Sequence, residues 1–410
     1  MADRIVVSGR GLVTPIGVGI EENTEALKKG KTGTVFIPEW RELGLDAQVA
    51  GMSNHDVECP VLNQKNKRFM SVNSRMAVVA AYEALLEAGF TMETLPHDMA
   101  VINGCGGSAY AEVYSNASAY METRRIRKVS PFAVPRIMPS SAVANLSLVF
   151  GLTGESYDIS SACTSSAQAI IAGARLIASG EYDTVMVGGS EEVSWQQALG
   201  FNAMRALSHS YNDMPHKASR PFDKNRDGFV LGEGAGILIL ERESHALARG
   251  HLPKAVISGF AANSNATDMV VPNAESSAEL MRKAIRMAGL RPEEIGYINT
   301  HGTATPVGDP VEMESIRLVF DSSRDVAINS TKSMTGHMIG AAGAVEAIFT
   351  TLMLEKSFLC PTANLEEPSE EFAWADLIRE TREHVELNHA LSNSFGFGGS
   401  NACIVLSRWK

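Results

Sequence analysis

The chain contains no CxxC pair, no HExxH, no GxSxG, no low-complexity tract and no apolar run long enough to span a bilayer. Its five cysteines (Cys59, Cys105, Cys163, Cys360 and Cys403) are widely separated and odd in number, so neither a disulfide framework nor a zinc knuckle is expected. Positive charge is also short. Thirty-six Lys and Arg face 47 Asp and Glu, a net charge of −11, which excludes general binding to nucleic acid and means that an acidic partner would need a local basic patch. The opening MADRIVVSG enters a strand-like run at once and lacks the pattern of a secretory signal, so a cytoplasmic protein is expected.

What is present is ordinary for a globular protein: 45% apolar and 20% charged residues over 410 positions, enough for two domains or two fused halves. Short β-branched runs such as RIVVSG, MAVING, YDISSA, DTVMVGGS and NACIVLS alternate with helical stretches at 71–88, 164–179, 275–288 and 338–355. That alternation predicts an α/β protein with a largely parallel sheet.

A faint repeat relates the two halves. IVVSGRG at 5–11 matches AVISGFA at 255–261, and YDISSACTSSAQAIIAGARLIASGE matches AINSTKSMTGHMIGAAGAVEAIFTTLMLEKS. DTVMVGGSEE loosely matches LSNSFGFGGSNACIVL. This pairing sets Cys163 and His337 at equivalent places near the start of each half's helix. Those helices carry small or apolar residues on nearly every face, so both should be buried, with Gly173, Ala174, Ala178 and the run Gly340–Ala344 allowing close backbone approach. A boundary near 250 gives halves 1–250 and 251–410, the first holding an insertion around 105–145.

Three residues carry chemical signals. Cys163 lies where a strand gives way to an alanine-rich helix, a place where free N–H groups and the helix dipole favour the thiolate; the competing reading is a small buried hydrophobe. His301 lies in a Gly/Thr/Pro loop directly after a strand. His337 stands before an apolar helix, where an imidazole must find a polar partner; two satisfied core histidines are the alternative. Lys332 and Glu346, if both buried, should pair with each other. The glycine-rich SNSFGFGGSNA is either a source of oxyanion-binding N–H groups or a tight turn. Asp309 and Glu312 read as acids that fix a loop rather than as zinc ligands. GCGGSA at 104–109 fits a degenerate dinucleotide pattern, but no second strand ends in an acid at the right distance.

SACTSS around Cys163, THGTATPVGD around His301, TKSMTGHMIGAAG around His337 and SNSFGFGGSNA near the C-terminus, in this order, resemble the β-ketoacyl-ACP synthases from end to end. The resemblance implies a thiolase-like, duplicated αβαβα layered fold and a homodimer, with no cofactor, no metal, no membrane and no nucleic acid. A Cys-His-His set is similar to the elongating synthases rather than the initiating type, which uses Cys-His-Asn. SRPFDKNRDGFV and TDMVVP resemble type I, whereas LGEGAG and TKSMTGH also suit type II; CTSS departs from the commoner alanine after the cysteine.

The implied reaction is a decarboxylating condensation. Cys163 would take an acyl group from acyl carrier protein (ACP), and His301 and His337 would stabilise the enolate formed from malonyl-ACP. The N–H groups of Cys163 and Phe397 would hold the oxyanion, and Lys332 and Glu346 would orient the centre. Thr303 and Thr305 would bind phosphopantetheine, Phe395 and Phe397 would gate access, Gly107 would line the acyl tunnel and Met138 would lie near the dimer partner. The acidic carrier would dock on Lys65 and Arg68, with Lys67 between, and on Arg124, Arg127 and Lys128 beside Arg125. A specialised polyketide-type synthase is the alternative. A thiolase would need Cys403 as a second catalytic cysteine, and a non-catalytic chain-length partner would lack the nucleophile.

Overall fold

The computed structural model describes residues 3–54, 57–107, 109–320 and 326–410. Eleven strands carry the main sheet: β1 (Ile5–Thr14), β2 (Ala100–Gly104), β3 (Ser156–Ile159), β4 (Thr184–Glu191), β5 (Gly234–Arg242), β6 (Ala255–Ser264), β7 (Tyr297–Asn299), β8 (Ala327–Asn329), β9 (Asp376–Leu377), β10 (His389–Phe395) and β11 (Ser400–Arg408). Their order is β9-β8-β7-β10-β11-β6-β1-β5-β4-β2-β3, with the two-residue strand Gly17–Val18 paired to β1.

Outward from the central β1–β6 pair the sheet mirrors itself. Each side runs two antiparallel pairings, β1-β5-β4 and β6-β11-β10, and then parallel pairings, β4-β2-β3 and β10-β7-β8. The expectation of a largely parallel sheet is therefore corrected to a mixed one. Single-sequence patterning missed this because strands buried on both faces read as continuous apolar runs whichever way they pair.

The repeated VSG and ISG have one physical cause. β1 and β6 each shift register at the glycine, Gly9 and Gly259. A Cβ on Gly9 would lie 2.1 Å from the carbonyl oxygen of Ala84, and one on Gly259 2.4 Å from that of Ala284. These carbonyls belong to α1 (Val72–Glu87) and α3 (Ala274–Met287), so each glycine admits a helix onto its strand. In the looser third match, β4 and β10 occupy mirrored places, but NACIVL lies on β11, whose counterpart is GILILE on β5.

Two further helices fill the middle: α2 (Ser165–Ser179) and, beyond the helix α4 (Gly308–Val319), α5 (Ala342–Lys356). α2 and α5 touch each other and strands of both sides. α5 is buried from Ala342 to Leu354, and a Cβ on its Gly343 would come within 2.8 Å of the Ala167 Cβ. In α2, Gly173 meets Val187 in the same way, whereas Ala178 faces solvent, contrary to its expected packing role. Strand residues alternate between cores. Val185, Val187, Leu238, Ile404 and Leu406 face the middle; Met186, Ile237 and Ile239 face α1; Cys403 and Val405 face α3 and α4. The result is helix, strand, helix, strand and helix layers, with the N-terminal mouths of α2 and α5 side by side.

Candidate active site

Cys163 stands two residues before α2, in a turn that holds Ala162 at φ +50°. That is an unfavoured conformation for a residue with a Cβ, kept here by hydrogen bonds from the Ser161 N–H to Ser165 Oγ (2.9 Å) and from Ser165 Oγ to the Ala162 carbonyl (2.7 Å). The turn 396–399 meets it from the C-terminal segment: a Cβ on Gly396 would lie 3.3 Å from the Cys163 nitrogen. Only GFGG forms this turn, since SNSF belongs to β10.

The Lys332 charge and the N–H groups of Phe397 and of Cys163 itself favour the thiolate, yet burial outweighs them and pushes the thiol up to about 12. Burial thus opposes the activation expected from the helix end. Desolvation of a side chain only 9% exposed is the larger effect.

His301 follows β7, and its loop is moulded by acids from α4. Glu312 accepts the N–H groups of His301 (2.8 Å) and Gly302 (2.7 Å), and Asp309 accepts those of Ala304 (3.0 Å) and Phe222 (2.9 Å). Both acids fix the loop, as expected. His337 is clamped through its backbone, donating its N–H to the Val230 carbonyl (2.7 Å) and accepting from the Gly232 N–H (2.9 Å). A 3-10 turn, Ile339–Ala341, separates it from α5, so its place resembles that of Cys163 without being the same.

The rings of His301 and His337 stand edge to face, 5.1 Å apart, with Phe229 5.6 Å from His337 and Phe395 5.9 Å from His301. Nδ1 of His301 and both ring nitrogens of His337 are buried with no hydrogen-bond partner among the described residues. Burial, and after it the Lys332 charge, push both imidazoles well below the usual histidine range, which favours their neutral form. Lys332 and Glu346 are buried and hydrogen-bonded to each other. Burial pushes the Glu346 carboxyl up to about 7, against the pull of that ammonium. The ligating atoms of Cys163, His301 and His337 lie within 4.8 Å of one another. Such a set could bridge a soft metal ion, but the charge of Lys332, felt by both histidines, opposes a cation there.

A cavity of about 650 Å³ opens on these three side chains. Gly107, Thr303, Thr305, Phe395 and Phe397 also line it. Thr303 and Thr305 put their hydroxyls 3.2 Å apart, and Thr305 Oγ1 accepts the Gly308 N–H (3.0 Å). Met138 does not line the cavity; it is half-buried at the end of the helix Ala133–Ile137. Lys65, Arg68, Arg124, Arg127 and Lys128 are exposed and away from the cavity wall, with the Arg68 guanidinium over the rings of Phe69 (5.2 Å) and Phe132 (5.4 Å). Cys403 faces the outer core under α3 and is absent from the cavity wall, so it cannot serve as a second nucleophile there. Tyr110, Gln196, Gln197, Arg205 and Phe229 line the cavity without having been anticipated. Gln196 and Gln197 sit in the first turn of the helix Trp195–Ala203, where adjacent glutamines ordinarily mean solvent.

Residues 2–246 match the family model "Beta-ketoacyl synthase, N-terminal domain", and residues 254–366 match "Beta-ketoacyl synthase, C-terminal domain". The chain is 40% identical to 3-oxoacyl-[acyl-carrier-protein] synthase 1 of Haemophilus influenzae, over 99% of each chain. It is 39% identical to 3-oxoacyl-[acyl-carrier-protein] synthase 2 of Vibrio harveyi, over 99% of this chain and 98% of that one. A crystal structure of a β-ketoacyl synthase from Burkholderia phymatum superposes over 100% of both chains, with a TM-score of 0.94 and 34% identity. The likeness runs through every segment that converges on the cavity, and the chain belongs to the β-ketoacyl synthase family.

Proposed function

We propose that this protein catalyses the decarboxylating condensation of an acyl group held on Cys163 with malonyl-ACP, giving 3-oxoacyl-ACP, carbon dioxide and free ACP in fatty-acid elongation. The observation that carries this reading is the meeting of one cysteine and two histidines in one cavity. Because the thiol is protonated when free, it needs a base at the moment of attack, and a neutral imidazole beside it has a lone pair to accept that proton. The thiolate displaces the carrier thiol from acyl-ACP. In the second stage the N–H groups of His301 and His337 donate to the malonyl thioester oxygen as carbon dioxide leaves, and the resulting enolate attacks the acyl-cysteine carbonyl. The N–H groups of Cys163 and Phe397 hold the oxyanion, while Lys332 and Glu346 set the charge and position of the histidines.

On the same reading Thr303 and Thr305 hold the phosphopantetheine arm, Phe395 and Phe397 control access, and Gly107 lines the acyl arm of the cavity. Lys65, Arg68, Arg124, Arg127 and Lys128 receive the acidic carrier. The protein works as a cytoplasmic homodimer of the type I kind, with Met138 near the partner and the edge strand β3 offered to a second copy. Residues 1–250 and 251–410 are its two halves; the mirrored sheet supports that division. The test is incubation with octanoyl-ACP and malonyl-ACP. The expected result is 3-oxodecanoyl-ACP with one carbon dioxide released per product, and condensation without carbon dioxide release would overturn it.

A further inference from the structure

Glu191 ends β4, is only 1% exposed and takes no part in the condensation chemistry above, yet its carboxylate gathers backbone N–H groups from two separate segments. Oε2 accepts from Gly106 (2.8 Å) and Gly340 (3.0 Å), and Oε1 accepts from Gly107 (3.2 Å). A carboxylate suits this task, since both its oxygens accept and it has no donor to repel an N–H group.

The two segments so joined belong to the cavity wall. Gly106, Gly107, Cys163 and Ile339 all line the cavity, and Ile339 packs in one apolar cluster with Cys163. The segments meet closely: a Cβ on Gly340 would lie 2.1 Å from the Gly106 nitrogen, and one on Gly106 would lie 2.6 Å from Ile339 Cγ2. Ile339 is itself held at φ +40°, an unfavoured conformation for a β-branched residue, and the N–H that follows it, that of Gly340, is one that Glu191 takes. A glycine pair and a strained turn have little local preference for these conformations, so the buried acid is what fixes them against each other. The two histidines are held by other groups: the His301 loop by Glu312, and His337 through the backbone of Val230 and Gly232.

We propose that Glu191 is a positioning residue for the acyl chain: through Gly106, Gly107 and Gly340 it sets the wall beside Cys163 along which the chain lies. This deepens the condensation reading and rests on it, since that reading places the acyl arm at Gly107. A chain long enough to lie on the wall depends on Glu191, whereas an acetyl group ends at the methyl next to its thioester carbonyl and does not reach it.

Two variants disturb the wall in different ways. In Glu191→Gln the amide oxygen can still accept from Gly106 and Gly340, but the NH2 group then meets the Gly107 N–H, donor against donor. Glu191→Asp keeps the carboxylate and withdraws it from all three N–H groups by a methylene. Transfer to Cys163 of the purified enzyme is measured with decanoyl-ACP and with acetyl-ACP. In both variants the ratio of kcat/KM for decanoyl over acetyl transfer should fall about tenfold or more, because the longer chain loses its alignment and the shorter one has none to lose. A parental ratio in either variant, whether both rates fall together or neither does, would make Glu191 a prop of the fold alone and overturn the inference while leaving the condensation reading intact. Failure of the parental enzyme to load either chain on Cys163 would overturn the condensation reading, and the inference with it.

Discussion

Burial and charge pull Cys163 in opposite directions, and the balance sets its reactivity. With the thiol pushed up to about 12, alkylation of Cys163 by iodoacetamide should keep rising with pH beyond the ordinary thiol value of about 8.5, because the thiolate is the reacting species. Lys332 lowers that pKa, so Lys332→Met should slow alkylation at every pH. A rate that levels off below about pH 8.5 would contradict the dominance of burial. The histidines should act unequally across the two stages. His301→Ala and His337→Ala should each leave malonyl-ACP decarboxylation reduced by about a hundredfold or more, the usual loss on removing an oxyanion donor, while Cys163 still accepts an acyl group from acyl-ACP because the remaining imidazole serves as its base. Parental carbon dioxide release in either variant would remove that residue from the mechanism. The three key residues were legible in the sequence because each sits in a short, chemically unusual setting. The direction of the cysteine shift was not, because desolvation depends on what packs around the turn.

At the level of elements, Gly9 and Gly259 account for the repeat and make it testable. Gly9→Ala and Gly259→Ala should each lower stability by about 3 kcal/mol, since the new Cβ would overlap a helix carbonyl and force α1 or α3 off its strand. Gly200→Ala is the control: nothing lies within 4 Å of its Cβ position and it is inside a helix, so it should be neutral or stabilising by about 0.5–1 kcal/mol. Urea midpoints measure all three, and equal effects would mean that close helix packing is not the reason for these glycines. The central helices were legible from their small residues on nearly every face, apart from Ala178. Sheet direction was not, since an apolar run such as GILILE carries no mark of whether its neighbour is parallel. Gln197 was hidden for the opposite reason: its S-x-x-Q setting points to a helix cap, and only the fold brings the residue to the cavity wall.

For the molecule as a whole, buried acids set the pH dependence of stability. Burial pushes Asp158, Glu191, Glu192 and Glu312 up to about 7 and Asp309 up to about 6. Between their unfolded values and these, the folded state holds more protons than the unfolded state, so stability is greatest at the low end and falls as pH rises through about 7. The Tm should accordingly drop between about pH 5 and pH 8; a Tm that climbs over this window would contradict the assignment.

The surface presents the complementary problem of a net charge of −11 that must accept an acidic carrier. Reversing Lys65, Arg68, Arg124 and Arg127 to glutamate should raise KM for acyl-ACP and flatten its salt dependence, because exposed charges are screened beyond about 8–10 Å. Turnover of a small pantetheine thioester should hardly change. Equal loss on both substrates would mean damage to the fold instead of to docking.

In the proposed reaction Cys163 is an obligatory way-station for the acyl chain. Peptide-mapped mass spectrometry of the enzyme after incubation with acyl-ACP, followed by a chase with malonyl-ACP, tests this most directly. The acyl group should be found on Cys163 alone, should be absent from a folded Cys163→Ala variant, and should vanish on the chase as 3-oxoacyl-ACP and carbon dioxide form in equal amounts. Label on Cys105 or Cys403, or an acyl-Cys163 that survives the chase, would contradict it.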